Sequence, residues 1–572
     1  MPVHNADIAR LFDHLADLLE IEGANPFRIR AYRRAAQTIE DLPESIAKMA
    51  TEGRDLSELP GIGEDLAGKI AEIVTTGHLK VLEEIETRTP DELAMLATLP
   101  GLGPKRVKAL HAVLGIKSMD DLARAAAAGR IRDLRGFSEA AELKLLEAIG
   151  KQRVAVQRFK ISVAEDFARG LAEYLRSAPG VQQIVVAGSF RRRRETVGDL
   201  DILVTAEDGP AVIEHFVRYD EVDKILAKGP TRSTVVLKAG VQVDVRVVPE
   251  ESYGAALHYF TGSKAHNIAI RKLAQDKGLK LNEYGIFRGE SRVGGSTEEQ
   301  VFAAVGLPYI VPELRENRGE IEAARAGRLP RLIEVGDIRG ELHAHTKASD
   351  GKNSLVEMVE AARVLGYEYI AITDHSRHVT VAHGLDEQRL AAQLDEIDRL
   401  NDLIDGIRIL KSSEVDILAT GELDFPDRIL KRLDLTVCAV HYKFELDIKA
   451  QTERIIRAMD NRHFNILAHP TGRLLGERPG YALDLERVMV AAKERGCFLE
   501  VNAHPARLDL DDVHCRAAKE LGLKIAISTD AHSTIGLGAM RFGVDQARRG
   551  WLEPADVLNT RPWAELKQLL AR

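Results

Sequence analysis

From about residue 335 onward the chain repeats one pattern, a short apolar run closed by an acid, an amide or an imidazole. The runs end at Glu341–His345, Asp374-His375, Glu414, His441, His469, Asn502 and Asp530-His532, with helical stretches between them. Strands alternating with helices imply a parallel sheet, because parallel neighbours need a long crossover, and functional side chains then gather at the C-terminal strand ends. Seven such units predict a closed or distorted barrel. His343, His345 and Asp350 in E-L-H-A-H-T-K-A-S-D-G, then His375, Glu414, His441 and His469, then Asp530 and His532 in S-T-D-A-H, are its candidate ligands. An isolated histidine is usually a core or surface residue. Nine hard or borderline donors at strand ends predict a metal site, and one that holds several ions.

With 572 residues the chain has room for about four domains. A composition of 45% apolar and 29% charged residues excludes a disordered or fibrous protein. No apolar run approaches the roughly 18–20 residues that span a bilayer, so no membrane is expected as a partner. The start, Met1-Pro-Val-His-Asn-Ala-Asp, lacks a basic-then-apolar leader pattern. Cys438, Cys497 and Cys515 are too few and too scattered for a disulfide framework or a thiolate zinc site. A reduced, cytoplasmic location is expected. The net charge of −9 argues by itself against a nucleic-acid binder. Yet Arg28, Arg30, Arg33 and Arg34 are clustered, and Arg191 to Arg194 are consecutive. Phosphate binding is decided by such local patches.

Up to about residue 150 the pattern is of short amphipathic helices around an internal repeat: L-P-G-I-G at 59–63, L-P-G-L-G at 99–103 and a weaker L-R-G-F-S at 134–138. A glycine-rich turn between two short helices offers backbone N–H groups to a DNA phosphate without reading base sequence. These units resemble helix-hairpin-helix motifs, with Gly61, Gly63, Gly101 and Gly103 at the turns and Lys105 and Arg106 just past the second. The third lacks the proline and the second glycine. A helix stop and restart is the plain alternative; two near-identical copies favour binding.

From 151 to 250 the pattern becomes α/β. A helix over about 158–176 precedes the buried-strand run V-Q-Q-I-V-V-A, then G-S-F-R-R-R-R-E-T-V-G-D-L-D-I-L-V-T. The pair T-V-V-L-K and V-Q-V-D-V-R-V-V follows, joined by an Ala-Gly turn. Asp199 and Asp201 alternate on a presumed strand and so share a face. Asp244 lies on another strand, a candidate neighbour. Three converging acids would hold two divalent ions that activate a 3′-hydroxyl and neutralise a triphosphate. An ordinary polar hairpin is the alternative reading.

With Y-F-T-G-S-K-A-H-N-I-A-I-R at 259–271, this stretch resembles a family X DNA polymerase over essentially residues 1–312. The resemblance makes Asp199, Asp201 and Asp244 the catalytic, metal-binding acids, served by Mg²⁺ or Mn²⁺. It assigns Gly188, Ser189 and Arg192 to the triphosphate, with Gly198 close by. It gives Tyr259 and Phe260 to sugar selection, Gly262 to nucleotide binding, and Asn267 and Arg271 to the minor groove of the nascent pair. Gln242 stands where animal members carry arginine, and Lys264 where they carry an acid; both are read as tuning differences. Lys69 matches the Schiff-base lysine that some members use as a 5′-deoxyribose phosphate lyase. An amine nucleophile needs a depressed pKa, and Glu64 and Asp65 favour the charged form, so a solvated lysine is the competing reading.

Residues 335–560 resemble the PHP (polymerase and histidinol phosphatase) family, whose motifs the nine ligands match one by one. The resemblance implies a distorted seven-stranded β/α barrel with up to three manganese, zinc or iron ions that activate water against phosphorus. Asp374 is expected to orient a ligand histidine. The predicted architecture is therefore multidomain, α+β and α/β. It comprises an end-binding helical domain at 1–85, a second helix-hairpin-helix region at 86–150 and a nucleotidyltransferase palm at 151–250. A nucleotide-selecting subdomain at 251–312, a linker at 313–334 within the charged stretch from Val311, and the barrel at 335–572 complete it. The expected function is gap filling in DNA repair with 3′→5′ exonuclease trimming, by a monomer that takes gapped or nicked DNA and dNTPs. Removal of 3′-phosphates, abasic-site cleavage, a small-molecule phosphatase and an end-binding scaffold with weak polymerase activity remain alternatives. Other repair partners are not legible.

Overall fold

The computed structural model describes residues 5–41, 46–59, 61–86, 104–132 and 158–571, with positions 96, 102, 134, 137, 138, 142, 143, 145 and 146 between them. It divides into two compact units, Met1–Gln157 with Ala239–Gln242, and Arg158–Lys238 with Val243–Arg572.

In the first unit, α1 (Asn5–Glu22) and α2 (Pro26–Asp41) form a helical pair. Ile8, Phe12, Leu15 and Leu19 recur at helical spacing on α1 and are buried with Tyr32, Ala35 and Ile39 of α2. The first glycine-rich repeat closes with Gly63 as the N-cap of α3 (Glu64–Thr76), whose Leu66, Ile70 and Ile73 enter the same core. After the second repeat, α4 (Pro104–Leu114) adds Val107 and Leu110.

The second unit begins with a helix at Ile161–Arg176 whose Ala164, Ala168, Leu171 and Leu175 are buried. The sheet beside it contains β1 (Val181–Val186), β2 (Asp199–Ala206), β3 (Val222–Lys228), β4 (Arg232–Leu237) and β5 (Gln242–Val248). Its order is β1-β2-β5-β4-β3, so β2 and β5 are neighbours although they are far apart in the chain. Helices α5 (Tyr253–Thr261) and α6 (Lys264–Asp276) follow, then a three-stranded antiparallel sheet over 280–294 and a helix at Glu298–Val305.

The stretch expected as a linker is folded. It contains a 3-10 turn at Pro312–Leu314 and a helix at Glu320–Arg325, and Leu314, Arg315, Glu320, Ile321 and Ala324 are buried. Its charges mislead because partners inside the protein satisfy them: Glu320 bonds His266 at 2.6 Å, and Arg315 pairs with Glu298.

The barrel strands are β6 (Gly340–Ala344), β7 (Tyr369–Ile372), β8 (Arg408–Lys411), β9 (Glu414–Asp416), β10 (Val437–Ala439), β11 (Ile466–Leu467), β12 (Phe498–Asn502) and β13 (Ile525–Ser528). β8 and β9 are one strand position interrupted at Ser412-Ser413, which gives the seven positions that the sequence predicts. Every pairing is parallel, and bridges Ala344–Ala531 and His375–Glu414 join the two halves of the ring. Ile370 and Ile372 pack outward with Met358, Val359 and Leu394 of the surrounding helices. Tyr369 and Ala371 join Leu342, Leu410, Val437 and Ile466 in a cluster drawn mainly from strands, together with Leu566 and Leu570 of the last helix. Among the described residues no helix is long and apolar enough to cross a membrane.

Candidate functional site

Two constellations of titratable groups lie in the second unit. On the palm sheet, Asp199 and Asp201 alternate with buried Leu200 and Ile202 on β2, and Asp244 stands on the neighbouring β5. The chain leaves β1 through a single helical turn at Gly188–Arg191, anchored where the Ala187 N–H donates to the Asp201 carbonyl at 2.7 Å. Gly188 has φ +60°, and a Cβ there would stand 2.1 Å from Asp201 Oδ2, so only glycine fits. Burial, followed by the charges of Asp199 and Asp244, pushes the Asp201 carboxyl up to about 7, and burial with Asp244 raises Asp199 as well. Repulsion of this kind is relieved by a bound cation, and three hard oxygen donors suit Mg²⁺ or Mn²⁺. Thr234 donates a hydrogen bond to Asp244. Beside the acids is a cavity of about 210 Å³, lined by Asp201, Thr234, Asp244, Arg246 and Phe260 among others.

The predicted nucleotide contacts surround these acids unevenly. Tyr259 and Phe260 meet edge-to-face with centroids 5.0 Å apart, and the Arg246 guanidinium lies 5.0 Å from the Phe260 ring. Arg192 donates to Glu316 at 2.9 Å and to the Thr261 carbonyl at 2.9 Å. Arg191 forks onto Glu298 at 2.9 and 2.7 Å. A Cβ on Gly198 would meet only Arg158 Nη1, at an ordinary 3.5 Å. The Asn267 amide donates to the carbonyls of Tyr259 (2.6 Å) and Gly262 (3.1 Å), closing the break between α5 and α6. A Cβ on Gly262 would stand 2.4 Å from Asn267 Oδ1. Asn267 is buried, whereas Lys264 is exposed at the start of α6 and Arg271 lies 5.9 Å from the Tyr259 ring.

In the barrel the predicted ligands converge. One atom from each of His345, Asp350, His375 and His532 lies within 4.8 Å of the others, and the same holds for His343, His345 and Asp530, and for His375, Glu414 and His441. His345 and His375 each belong to two groups, so the three form one continuous centre. His469 Nε2 lies 3.0 Å from Glu414 Oε1, at its edge. Buried ligand atoms here lack well-formed hydrogen bonds: His343 Nε2 and both ring nitrogens of His345, with His375 Nδ1 and Glu414 Oε2 only facing one another at 2.8 Å. Unsatisfied buried atoms are costly, and several aimed at one point fit metal ligation. Burial opposes charge on His375, but Glu414 and Asp350 raise it to about 10. Burial and the neighbouring His375 drive His345 down to about 4. Glu414 is held well below the usual carboxylate range, where burial is outweighed by His375, His441 and His343.

The residues that orient the ligands were not in the predicted set. Glu500 bonds His343 Nδ1 at 2.8 Å and accepts from the His469 N–H at 2.7 Å. Asp416 bonds His441 Nδ1 at 2.7 Å. Both were detectable as acids within short apolar strands, where an unpartnered charge is expensive. Asp374 touches no histidine; it accepts from Thr346 N at 2.8 Å, Ser349 Oγ at 2.5 Å and Gln393 Nε2 at 2.6 Å, ordering the turn that leads to Asp350.

In the first unit, Gly61 (φ +80°) and Gly63 flank the first turn, and exposed Arg106 lies 5.3 Å from the Phe137 ring. Gly101, Gly103 and the side chain of Lys105 lie outside the described residues. Lys69 is 2.5 Å from Asp65, and its side chain is only 15% exposed. It is paired with an acid and largely buried rather than freely solvated.

Family profiles match along the chain: a helix-hairpin-helix domain at 3–79, a SAM-like helix-hairpin-helix tandem at 82–151, the DNA polymerase beta palm at 161–244, the DNA polymerase beta thumb at 256–316 and a PHP domain at 341–504. The chain is 38% identical over 575 residues to the DNA polymerase/3′-5′ exonuclease PolX of Bacillus subtilis (strain 168), covering all of both chains. It is 29% identical over 352 residues to a DNA polymerase lambda of Arabidopsis thaliana, covering 55% of this chain and 62% of that one. A probable phosphatase of Thermoanaerobacter sp. (strain X514) is 31% identical over 231 residues, covering 38% of this chain and 89% of the relative. The palm acids, the barrel cluster and the unbroken match to a full-length relative agree, and the chain belongs to the family X DNA polymerases that carry a C-terminal PHP domain.

Proposed function

We propose that this protein fills short gaps in DNA with its palm and hydrolyses nucleotides from 3′ ends with its barrel. The observation that carries the proposal is the pair of charge-frustrated centres, three repelling aspartates and an imidazole–carboxylate cluster with unsatisfied buried donors. In the palm, Asp199, Asp201 and Asp244 would hold Mg²⁺ or Mn²⁺, whose charge would assist deprotonation of the primer 3′-hydroxyl and offset that of the triphosphate. Ser189 and the Gly188 turn receive the β- and γ-phosphates, and Arg192 joins them by exchanging Glu316 for phosphate oxygens. Tyr259 and Phe260 crowd the sugar, Gly198 lets the backbone approach, and Arg271 lies beside the nascent pair. In the barrel, His343, His345, Asp350, His375, Glu414, His441, His469, Asp530 and His532 would hold up to three Mn²⁺, Zn²⁺ or Fe²⁺ ions, which would supply Lewis-acid activation of water and charge stabilisation at phosphorus. There Glu500 and Asp416 hold His343 and His441 in their ligating orientation, and Asn502 bonds Asp530 at 3.2 Å. The glycine-rich turns, with Lys105 and Arg106, grip the DNA backbone on either side of a gap. A cytoplasmic monomer completes the reading.

The test is a 5′-labelled primer in a one-nucleotide gap, incubated with Mn²⁺ and resolved on a sequencing gel. With dNTPs the primer grows, and growth stops in Asp199→Ala/Asp201→Ala. Without dNTPs it shortens, and shortening stops in His343→Ala. A 3′-phosphorylated primer that loses only its phosphate would make the barrel a phosphomonoesterase. A primer unchanged at high enzyme concentration would remove both activities.

A further inference from the structure

Arg473 lies four residues beyond His469, and its guanidinium joins two parts of the protein. Its Nη2 donates to Glu195 Oε2 at 2.6 Å and to the Leu508 carbonyl, and its Nε donates to the Arg507 carbonyl at 3.0 Å. Gln546, on the barrel helix Met540–Arg549, donates to the same Glu195 oxygen at 3.1 Å. Glu195 belongs to the palm. It sits three residues after Arg192 and four before Asp199, and its carbonyl accepts the Ile161 N–H at 3.0 Å.

The gripped segment leaves β12 at Asn502, whose side-chain amide donates to Asp530 of the ligand cluster at 3.2 Å. The His504 N–H donates to Asn502 Oδ1 at 3.1 Å, and Leu508 is held at φ +43°, a left-handed conformation that a leucine rarely adopts. Arg507 stands with Nε 3.4 Å from Asp530 Oδ2, and its side chain is 20% exposed. A guanidinium has five N–H donors in a planar fork. The edge directed at Asp530 leaves others for a phosphodiester entering the cluster. Arg507 is therefore placed by two carbonyl bonds from Arg473, together with its own N–H bond to the His504 carbonyl at 2.7 Å, and Arg473 is neutralised by an acid of the palm.

We infer that Glu195 is a positioning residue for hydrolysis in the barrel, acting through Arg473 to set Arg507 beside Asp530. The inference rests on the proposed 3′-end hydrolysis and adds a residue from outside the barrel to it. Without Glu195, Arg473 has Asp511 as its nearest remaining acid, at 3.9 Å. A shift toward it loosens the bonds to Arg507 and Leu508, and the strained Leu508 backbone is free to relax. Oriented partners of metal sites change activity by about 10–100-fold.

The experiment uses the full-length protein and a 5′-labelled single-stranded oligonucleotide with Mn²⁺. Glu195→Ala is expected to lower the kcat of hydrolysis by about 10–100-fold with little change in KM. Arg507→Ala should lower it at least as far, and the double variant no further than Arg507→Ala alone. Hydrogen exchange of residues 504–511 should quicken in Glu195→Ala while the barrel strands stay protected. Arg473→Lys keeps a charge for Glu195 but cannot bond both carbonyls, so it should reproduce the loss at a normal melting temperature if Glu195→Ala folds poorly. Equal kcat in Glu195→Ala and the native protein, or losses that multiply in the double variant, would overturn the inference. If the native protein itself does not hydrolyse the oligonucleotide, the hydrolytic reading fails, and the exchange measurement still decides the placement: unchanged protection at 504–511 overturns it.

Discussion

Neutralising Glu298 should cost the second unit a large part of its local stability. Both oxygens are taken by the Arg191 fork, at 2.9 and 2.7 Å, and Arg315 shares one of them. The side chains of Arg315 and Glu298 are 0% and 5% exposed, so neither can turn to water for compensation. Glu298→Gln keeps the shape and one acceptor but leaves two guanidinium charges without a counter-charge. Three charge-assisted bonds at about 1.5–3 kcal/mol each would suggest a larger loss. The ion pairs already carry a desolvation cost, however, and removing one partner of a buried pair typically costs about 3–5 kcal/mol. The Phe302 and Tyr309 rings, 5.0 and 5.2 Å from the Arg315 guanidinium, recover part of this, so about 3 kcal/mol is expected. Burial raises the Glu298 carboxyl, but the Arg191 hydrogen bond and the Arg315 charge outweigh it and leave the pKa below 4.5. Its stabilising contribution is therefore complete above pH 4.5 and lost as the pH falls through the folded value. Native-state hydrogen exchange over residues 253–310 reads the opening free energy of this region directly. A loss below about 1 kcal/mol at pH 7, smaller than any buried charge pair should give, would refute the reasoning.

Two further outcomes follow from other buried acids. Burial pushes Asp545 from 3.8 to about 6 despite Arg193 nearby, so its charge costs stability progressively as pH rises from 3.8 to about 6. Asp545→Asn should accordingly raise the melting temperature above pH 6, by up to about 3 kcal/mol of stability, and change little near pH 4; an equal effect at both ends would contradict this. Glu500→Gln and Asp416→Asn should each weaken divalent-metal retention by about 10–100-fold while leaving gap filling intact, measured as bound metal after gel filtration. Native metal content in both would show that the histidines need no such support.

What the sequence disclosed follows from where side chains must go. In a parallel sheet the strand ends form one mouth, so the ligands from His343 to His532 could be gathered from apolar runs alone. The alternation that puts Asp199 and Asp201 on one face is equally local. Glu500 and Asp416 escaped because a buried acid inside a strand looks the same whether it steadies a ligand or closes a structural network. The Asn267 bonds to the Tyr259 and Gly262 carbonyls were not legible, because helical spacing fixes a face and says nothing of which carbonyls lie beneath it. The stretch from Val311 to Pro330 looked solvated because Arg315 and Glu320 find Glu298 and His266, partners that only the folded chain supplies.

The folded state of that stretch bears on how a strand is passed from synthesis to trimming. A segment packed by Leu314, Ile321 and Ala324, with Arg549 bonded to both Glu316 and the Arg192 carbonyl, is a weld. Palm and barrel cannot exchange a primer terminus by swinging on it. The terminus itself has to travel, by fraying or by release and recapture. The ratio of nucleotides added to nucleotides removed is then set by how long an end stays seated. The salt of the solution and the DNA's own duplex length and terminal mismatches become the controls on fidelity.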